Sequence, residues 1–219
     1  MKRAAAIKTN QAQTRRGRPL DEEKNNYKKN ILDSAEHCFA SQGFDAVSLK
    51  DIAQPVGVTP AMIHYYFGSK KVLLAAVLES AFEPLATAIA DMGQRDDPDV
   101  ENFISLIFEV MRAHPNLPLL LMRQVLLPGS PMQSHFLEQL APRLGGALPG
   151  IIKKSQASGR IAPDLNPSFA ALMILSLCIF PFISKPLSQP ALGLGFDSEG
   201  MEELQRHITR FVHGGLQSI

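Results

Sequence analysis

From about Asp21 onward the apolar positions recur at helical spacing, and no convincing strand-type alternation interrupts them. The first predicted helix runs roughly from Asp21 to Ser41. Its apolar stripe is Ile31, Ala35, Cys38 and Phe39, and Gly43 suits a left-handed C-terminal cap. A second helix starts at Ser48, which forms an S-x-x-D capping pair with Asp51. It buries Leu49, Ile52 and Ala53 and stops before Pro55. After the tight connection Pro55-Val56-Gly57-Val58, Thr59 caps a third helix with Pro60 at its first position. That helix continues through Ile63 to about Tyr66. Ser69 caps a long fourth helix reaching about Asp91.

Five more helices follow, so the pattern predicts an all-α chain of about nine. Helix 5 begins at Asp97-Pro98 and ends near Ala113. Helix 6 lies between Asn116 and Pro128. Helix 7 spans about Pro131 to Ser158, bent around Pro142 and Gly145-Gly146. Helix 8 starts at the cap-plus-proline pair Asn166-Pro167 and contains the run Phe169 to Ile183, whose single polar side chain is Ser176. That run of 15 residues, interrupted by Pro181, is shorter than the roughly 20 residues a bilayer span needs. It reads as a helix buried by protein on nearly all sides, with no membrane partner. Pro186 to Asp197, rich in Pro and Gly, reads as a mobile loop. Helix 9 covers about Ser198 to Val212 and carries Met201, Leu204, Ile208 and Phe211 on one side.

Composition narrows the class. The chain has 219 residues, 45% hydrophobic and 20% charged, which is ordinary for a soluble globular protein. The net charge of +1 hides a split. Residues 1–75 carry 12 Lys+Arg against 7 Asp+Glu, and the remainder carries 10 against 14. A basic first third on an acidic body suits an N-terminal end that meets a polyanion. Residues 1–20 hold almost no large apolar side chain and read as a disordered basic arm. Cys38 and Cys178 form neither a disulfide framework nor a CxxC site, and the polar N-terminus shows no signal peptide, so the cytoplasm is expected.

No catalytic constellation is visible. The six histidines are scattered, and HExxH, GxSxG, Walker A and GxGxxG patterns are absent. Glu203 and His207 read as a surface pair at i, i+4. No enzyme activity, cofactor or metal site is expected.

The second and third helices are each about two turns long and meet at a glycine turn, with the first helix behind them. That is a helix-turn-helix arrangement. Ile52, Val58, Ile63 and Phe67 must point inward, while Thr59, Pro60 and Ala61 leave the leading edge of the third helix slim enough for a DNA major groove. The stretch Ser48 to Leu74, SLKDIAQPVGVTPAMIHYYFGSKKVLL, resembles the DNA-binding segment of the TetR family of bacterial transcriptional repressors. The pieces DIA, GV[ST] and YFxSKxxL stand at the family's spacing. With the FxxxGFDAVSL exit of the first helix, the likeness covers residues 28–80. Two departures stand out. Pro55 replaces a helix former, and His64 replaces a Tyr on the recognition helix, so the contact there is not carried over.

The resemblance implies a partition into the arm 1–20, a DNA-binding domain 21–68 and a helical effector-binding and dimerisation domain 69–219. It implies a repressor that binds a pseudo-palindromic double-stranded DNA operator as a homodimer and leaves it when a small molecule shifts the fourth helix. Ser48 and Lys70 are the expected phosphate contacts. Thr59, Pro60, Ala61, Met62, His64 and Tyr65 face the groove, and Tyr66 faces the first helix. The arm holds Arg15-Arg16-Gly17-Arg18-Pro19, which resembles an AT-hook. Arg16 and Arg18 either enter a narrow minor groove or belong to a cationic tail that adds salt-dependent affinity. The effector, expected to be largely apolar, falls among helices 4–8, with Phe103, Ile107, Met111, Met122, Arg123, Phe136, Leu140, Met173 and Cys178 as candidate contacts. For Arg123 both an anionic effector group and a buried ion pair remain open, and each apolar candidate also suits a plain core. Helix 8 and the stripe of helix 9 are expected to pair across a two-fold axis, the alternative being burial within one subunit. The competing reading is a helical ligand-binding or protein-interaction module without operator binding.

Overall fold

The computed structural model describes residues 20–96 and 98–216, with side chains from residue 26. Arg16 and Arg18 lie outside the described residues. Ten α-helices, and no strand, occur among the described residues: α1 (Leu20–Gln42), α2 (Leu49–Ala53), α3 (Pro60–Phe67), α4 (Lys70–Gln94), α5 (Val100–Ala113), α6 (Leu117–Leu121), α7 (Gln133–His135), α8 (Leu148–Ala157), α9 (Pro167–Leu192) and α10 (Ser198–Leu216). Predicted helices 8 and 9 are therefore α9 and α10.

The first four helices form where the pattern places them. Ile31, Ala35 and Phe39 are fully buried and Cys38 nearly so. Each such large apolar side chain contributes about 1.5–3 kcal/mol of burial. α4 joins the two halves: its start packs on α1 and α3, and its remainder packs on α5 and α8. α5 and α10 pack on each other, and α9 lies against α5, α6, α8 and α10.

The structure corrects four expectations. Predicted helix 7 is not one bent helix. It breaks into α7, a π-turn over Phe136–Leu140, a 3-10 turn over Gly145–Ala147, and α8. Pro142 lacks an amide donor, and a Cβ on Gly146 would stand 2.8 Å from the carbonyl oxygen of Ala141. The backbone passes too close to itself there for a regular helix. Pro186–Leu192 of the predicted loop is instead the last turns of α9, which continues past Pro181, Pro186 and Pro190, and only Gly193–Asp197 remains a connection. Gly193 ends it in the left-handed region, at φ 66. α9 is also not enclosed by its own subunit: only Ala170, Ala171, Ile174 and Cys178 are buried, while Phe169 (66% exposed), Met173 (62%) and Phe180 (64%) face out. By length and hydropathy α4 and α9 both pass for membrane spans, but half of the α4 window is core. The predicted α10 stripe splits too: Met201 and Ile208 pack inward with Val212, whereas Phe211 points away.

A polar tie binds α1 to the end of α5. Glu36, nearly buried, takes a 2.7 Å hydrogen bond from His114 Nδ1 at the end of α5. The carboxylate raises the histidine above its ordinary 6.5, against the opposing effect of burial. A raised folded-state value means a stabilising contribution that is complete below pH 6.5 and fades as pH climbs through the folded value. Thermal unfolding is expected to show this loss as the pH rises above 6.5, and His114→Ala is expected to remove that part of the pH dependence.

Candidate nucleic-acid interface and effector cavity

The geometry of α2 and α3 rests on three capped starts and one glycine. Ser48 Oγ accepts from the Asp51 amide at 3.2 Å while Asp51 Oδ2 accepts from the Ser48 amide at 2.8 Å, closing the capping box. The Ser48 hydroxyl, which donates to Oδ2 at 2.6 Å, and then the Ser48 amide hold the Asp51 carboxyl below its usual range. Thr59 Oγ1 accepts from Met62 N at 3.3 Å, and Ser69 caps α4 through Val72 N. Pro55 does shorten α2, which passes into a 3-10 turn over Gln54–Val56. Gly57 then takes φ 65, a conformation that costs other L-residues roughly 1–2 kcal/mol. Ser34 Oγ donates to the Ile52 carbonyl at 2.9 Å and ties α1 to α2.

The inward and outward sets separate as the helical period requires. Ile52, Ile63 and Phe67 are buried, and Val58 is half-buried against the core. Thr59, Pro60, Ala61, His64 and Tyr65 form one exposed row, with Tyr65 78% exposed and Met62 at its margin. Tyr66 packs on the core and meets Tyr65 edge-on. The structure therefore brings together every groove residue expected on α3.

Ser48 is exposed at the start of α2 but already engaged with Asp51. Lys70 is more heavily committed. Its Nζ donates to the carbonyls of Phe44 (2.7 Å) and Val47 (2.9 Å) and sits 4.4 Å from the centre of the Phe44 ring. Lys70 thus pins the loop that delivers α2, a role with no signal in the sequence because the carbonyls lie more than 20 residues away. Lys50 and Lys71, exposed beside this face, escaped the sequence reasoning because isolated lysines carry no motif.

The second feature is a cavity of about 290 Å³. α4 contributes Phe82, Leu85 and Ile89, and α5 contributes Phe103, Ile107 and Met111. Leu121, Val125 and Leu126 come from α6 and the π-turn Met122–Leu126 that continues it. Phe136, Ala141, Leu144, Gly145 and Gly146 line a further wall, and Leu175 and Ile179 of α9 complete it. Every lining residue is apolar or glycine. A Cβ at Gly145 would stand 2.8 Å from Leu175 Cδ1, so the glycine lets this wall approach α9.

Four candidate contacts, Phe103, Ile107, Met111 and Phe136, line the cavity. The other five do not. Met173 lies on the outer face of α9, one position off the buried Ile174. Leu140 and Cys178 are buried elsewhere in the core, and burial pushes the Cys178 thiol up to about 12. Met122 lies outside the lining, since the wide π-turn carries Val125 and Leu126 to the wall instead. Among the described residues Arg123 makes neither an ion pair nor a cavity contact. It donates to the Ala40 and Ser41 carbonyls of α1 at 2.8 and 2.7 Å.

A capped helix-turn-helix with an exposed leading edge, followed by a helical body around an apolar cavity, defines a DNA-binding regulator of the one-component kind. The comparisons agree. Residues 31–77 match the profile of bacterial regulatory proteins of the tetR family, and residues 98–212 match the tetracyclin repressor-like C-terminal domain. The chain is 30% identical over 172 residues to the HTH-type transcriptional repressor NicS of Pseudomonas putida, covering 77% of this chain and 81% of that one. It is 30% identical over 156 residues to the HTH-type transcriptional regulator RutR of Escherichia coli, covering 67% and 69%. The transcriptional regulator FadR of Bacillus subtilis, solved in complex with stearoyl-CoA, superposes with a TM-score of 0.69 at 17% identity, over 86% of this chain and 99% of that one. This chain belongs to the TetR family of transcriptional regulators.

Removing the ammonium of Lys70 while keeping its stem, as in Lys70→Met, leaves two carbonyls without their donor. A loss of about 1–3 kcal/mol is expected, read as a lower urea midpoint with an unchanged slope.

Proposed function

We propose that this regulator is a cytoplasmic repressor that binds operator DNA as a homodimer and is released by a small, largely apolar effector. The observation that carries the DNA-binding half is the exposed row Thr59, Pro60, Ala61, His64 and Tyr65 on α3, held at a fixed angle by the Gly57 turn. Thr59, Pro60 and Ala61 lead into the major groove. Ala61 and Met62 offer apolar contact to thymine methyls, and His64 and Tyr65 reach base edges or phosphates. No Arg, Asn or Gln lies on α3, so bidentate base reading is sparse there. Lys50 and Lys71 supply cations to the backbone. Ser48 and Lys70 act there mainly by holding α2 in place. Arg16 and Arg18 of the arm add charge, either within a minor groove or along the phosphates.

The cavity supports the effector half. Its 290 Å³ is the space of about ten water molecules at roughly 30 Å³ each, which sets a small occupant. Its walls offer no charge, so an occupant gains from area burial. FadR of Bacillus subtilis, which shares this fold, was solved in complex with stearoyl-CoA, a ligand with a long apolar chain.

Dimerisation accounts for the outer face of α9. Phe169, Leu172, Met173, Leu177 and Phe180 recur at helical spacing, all exposed in the subunit, and Phe211 of α10 is exposed as well. A second copy across a two-fold axis covers this strip with itself. Paired subunits set the spacing of two α3 helices, as one helical turn of DNA requires.

In a gel shift, the protein is expected to retard DNA flanking its own gene in preference to random duplex. Log affinity should fall with log salt by about 0.9 per neutralised phosphate. Lys71→Ala is expected to weaken all sequences alike and lower that slope by about one, whereas Tyr65→Ala changes sequence preference. No preference over random duplex, together with a flat salt response, would favour the module without operator binding. In sedimentation, Phe169→Glu with Phe180→Glu is expected to yield monomers that no longer bind the operator. A persistent dimer would place the interface elsewhere.

A further inference from the structure

The position of Arg123 suggests what it does. It is carried on the π-turn Met122–Leu126, whose Val125 and Leu126 wall the cavity. Its guanidinium turns the other way, and Nη1 bridges the carbonyls of Ala40 (2.8 Å) and Ser41 (2.7 Å). These two carbonyls belong to the last turn of α1, where no helical amide is left to satisfy them. The bond is therefore a charged cap on the negative end of α1, supplied from the cavity wall.

α1 leads on to the DNA-binding face. Ser34 holds the Ile52 carbonyl at the end of α2, and the buried stripe Ile31, Ala35, Cys38 and Phe39 supports the helix-turn-helix. Beginning nine residues before Arg123, the segment that carries α6 is tied a second time to α1, through His114 and Glu36. The stretch from His114 to Arg123 is thus clamped along α1 at both ends while Leu121 faces the cavity. A π-turn holds one residue more per turn than an α-turn, so re-registering it rotates every side chain it carries. A switch between π and α registers is the kind of discrete two-state change through which one site biases another.

We infer that Arg123 is the residue through which cavity occupancy reaches the recognition helix: a filled cavity displaces the π-turn, and the Arg123 cap drags the end of α1. Arg123 is a positioning residue that touches neither DNA nor effector. This inference rests on the ligand-responsive reading above and adds a transmitter on α6 to any movement of α4.

A double-mutant cycle tests it without knowledge of the effector. Ile179→Phe fills the cavity from α9, an element with no recorded hydrogen bond to α1. Operator duplex is recovered by selection from random sequence with the native protein. Ile179→Phe is expected to lower operator affinity by about tenfold or more, and Arg123→Met alone to change it by less than about threefold. In the Arg123→Met background the Ile179→Phe effect is expected to shrink by at least about fivefold, the lower end of typical site-to-site coupling. Arg123→Lys, which keeps a charge for the two carbonyls, should restore part of the response.

Additive effects would overturn the role of Arg123 while leaving a ligand-responsive repressor intact. An unchanged operator affinity for Ile179→Phe in the native background would overturn the ligand-responsive reading, and the inference with it. Hydrogen exchange without DNA gives a second readout should Arg123→Met bind DNA poorly for structural reasons. Ile179→Phe is expected to speed exchange at the amides of residues 39–44 in the native background only. Equal change in both backgrounds counts against the inference.

Discussion

Much of this molecule depends on how α1 is held. It has one buried stripe, built from Ile31, Ala35, Cys38 and Phe39, and that stripe supports α2 and α3 from behind. α2 has five residues and α3 eight, too few to be stable alone. Their angle to each other is therefore a property of the surface they pack on, sharpened by the caps at Ser48 and Thr59 and the left-handed Gly57. The same α1 is bound at its far end by α4 and α6. Movement of α1 is passed to the helices packed on it, and two of the polar contacts that fix α1, those of His114 and Arg123, come from the half of the chain that holds the cavity.

The cavity exists because the helices around it are imperfect. A regular helix from Pro131 to Ser158 would pack closely and leave little room. The π-turn over Phe136–Leu140, the donor-less Pro142 and the Gly145-Gly146 pair divide that stretch into short pieces. Short pieces cannot interdigitate along one ridge, and the space between them is walled by hydrocarbon. Irregular backbone is affordable at this place because α4, α5 and α9 are long enough to carry the rest of the core.

α9 shows how apolar composition can mislead. Its 18-residue window has the hydropathy of a membrane span, and within one subunit only 22% of it is buried. Three prolines run through it at positions where their missing donors are tolerated. On the pairing proposed above, such a helix is a core split between two chains, and a single subunit shows half of it as surface.

Residues close in sequence made the DNA-binding half legible. Caps, proline starts, a glycine turn and one apolar period all act within a few residues, and the local hydrogen bonds that fix α2 and α3 are written in SLKDIAQPVGVTPAM. Boundaries through α5 followed for the same reason. What the chain alone left undecided is everything set across long separations. Lys70 finds its carbonyls 23 and 26 residues away, Arg123 finds α1 more than 80 residues away, and five of nine expected cavity contacts face elsewhere. Side-chain direction around an irregular turn, and which face of an all-apolar helix meets its own subunit, depend on what packs opposite. No periodicity encodes that, because the energy lies in pairs of surfaces that meet only when the chain has folded.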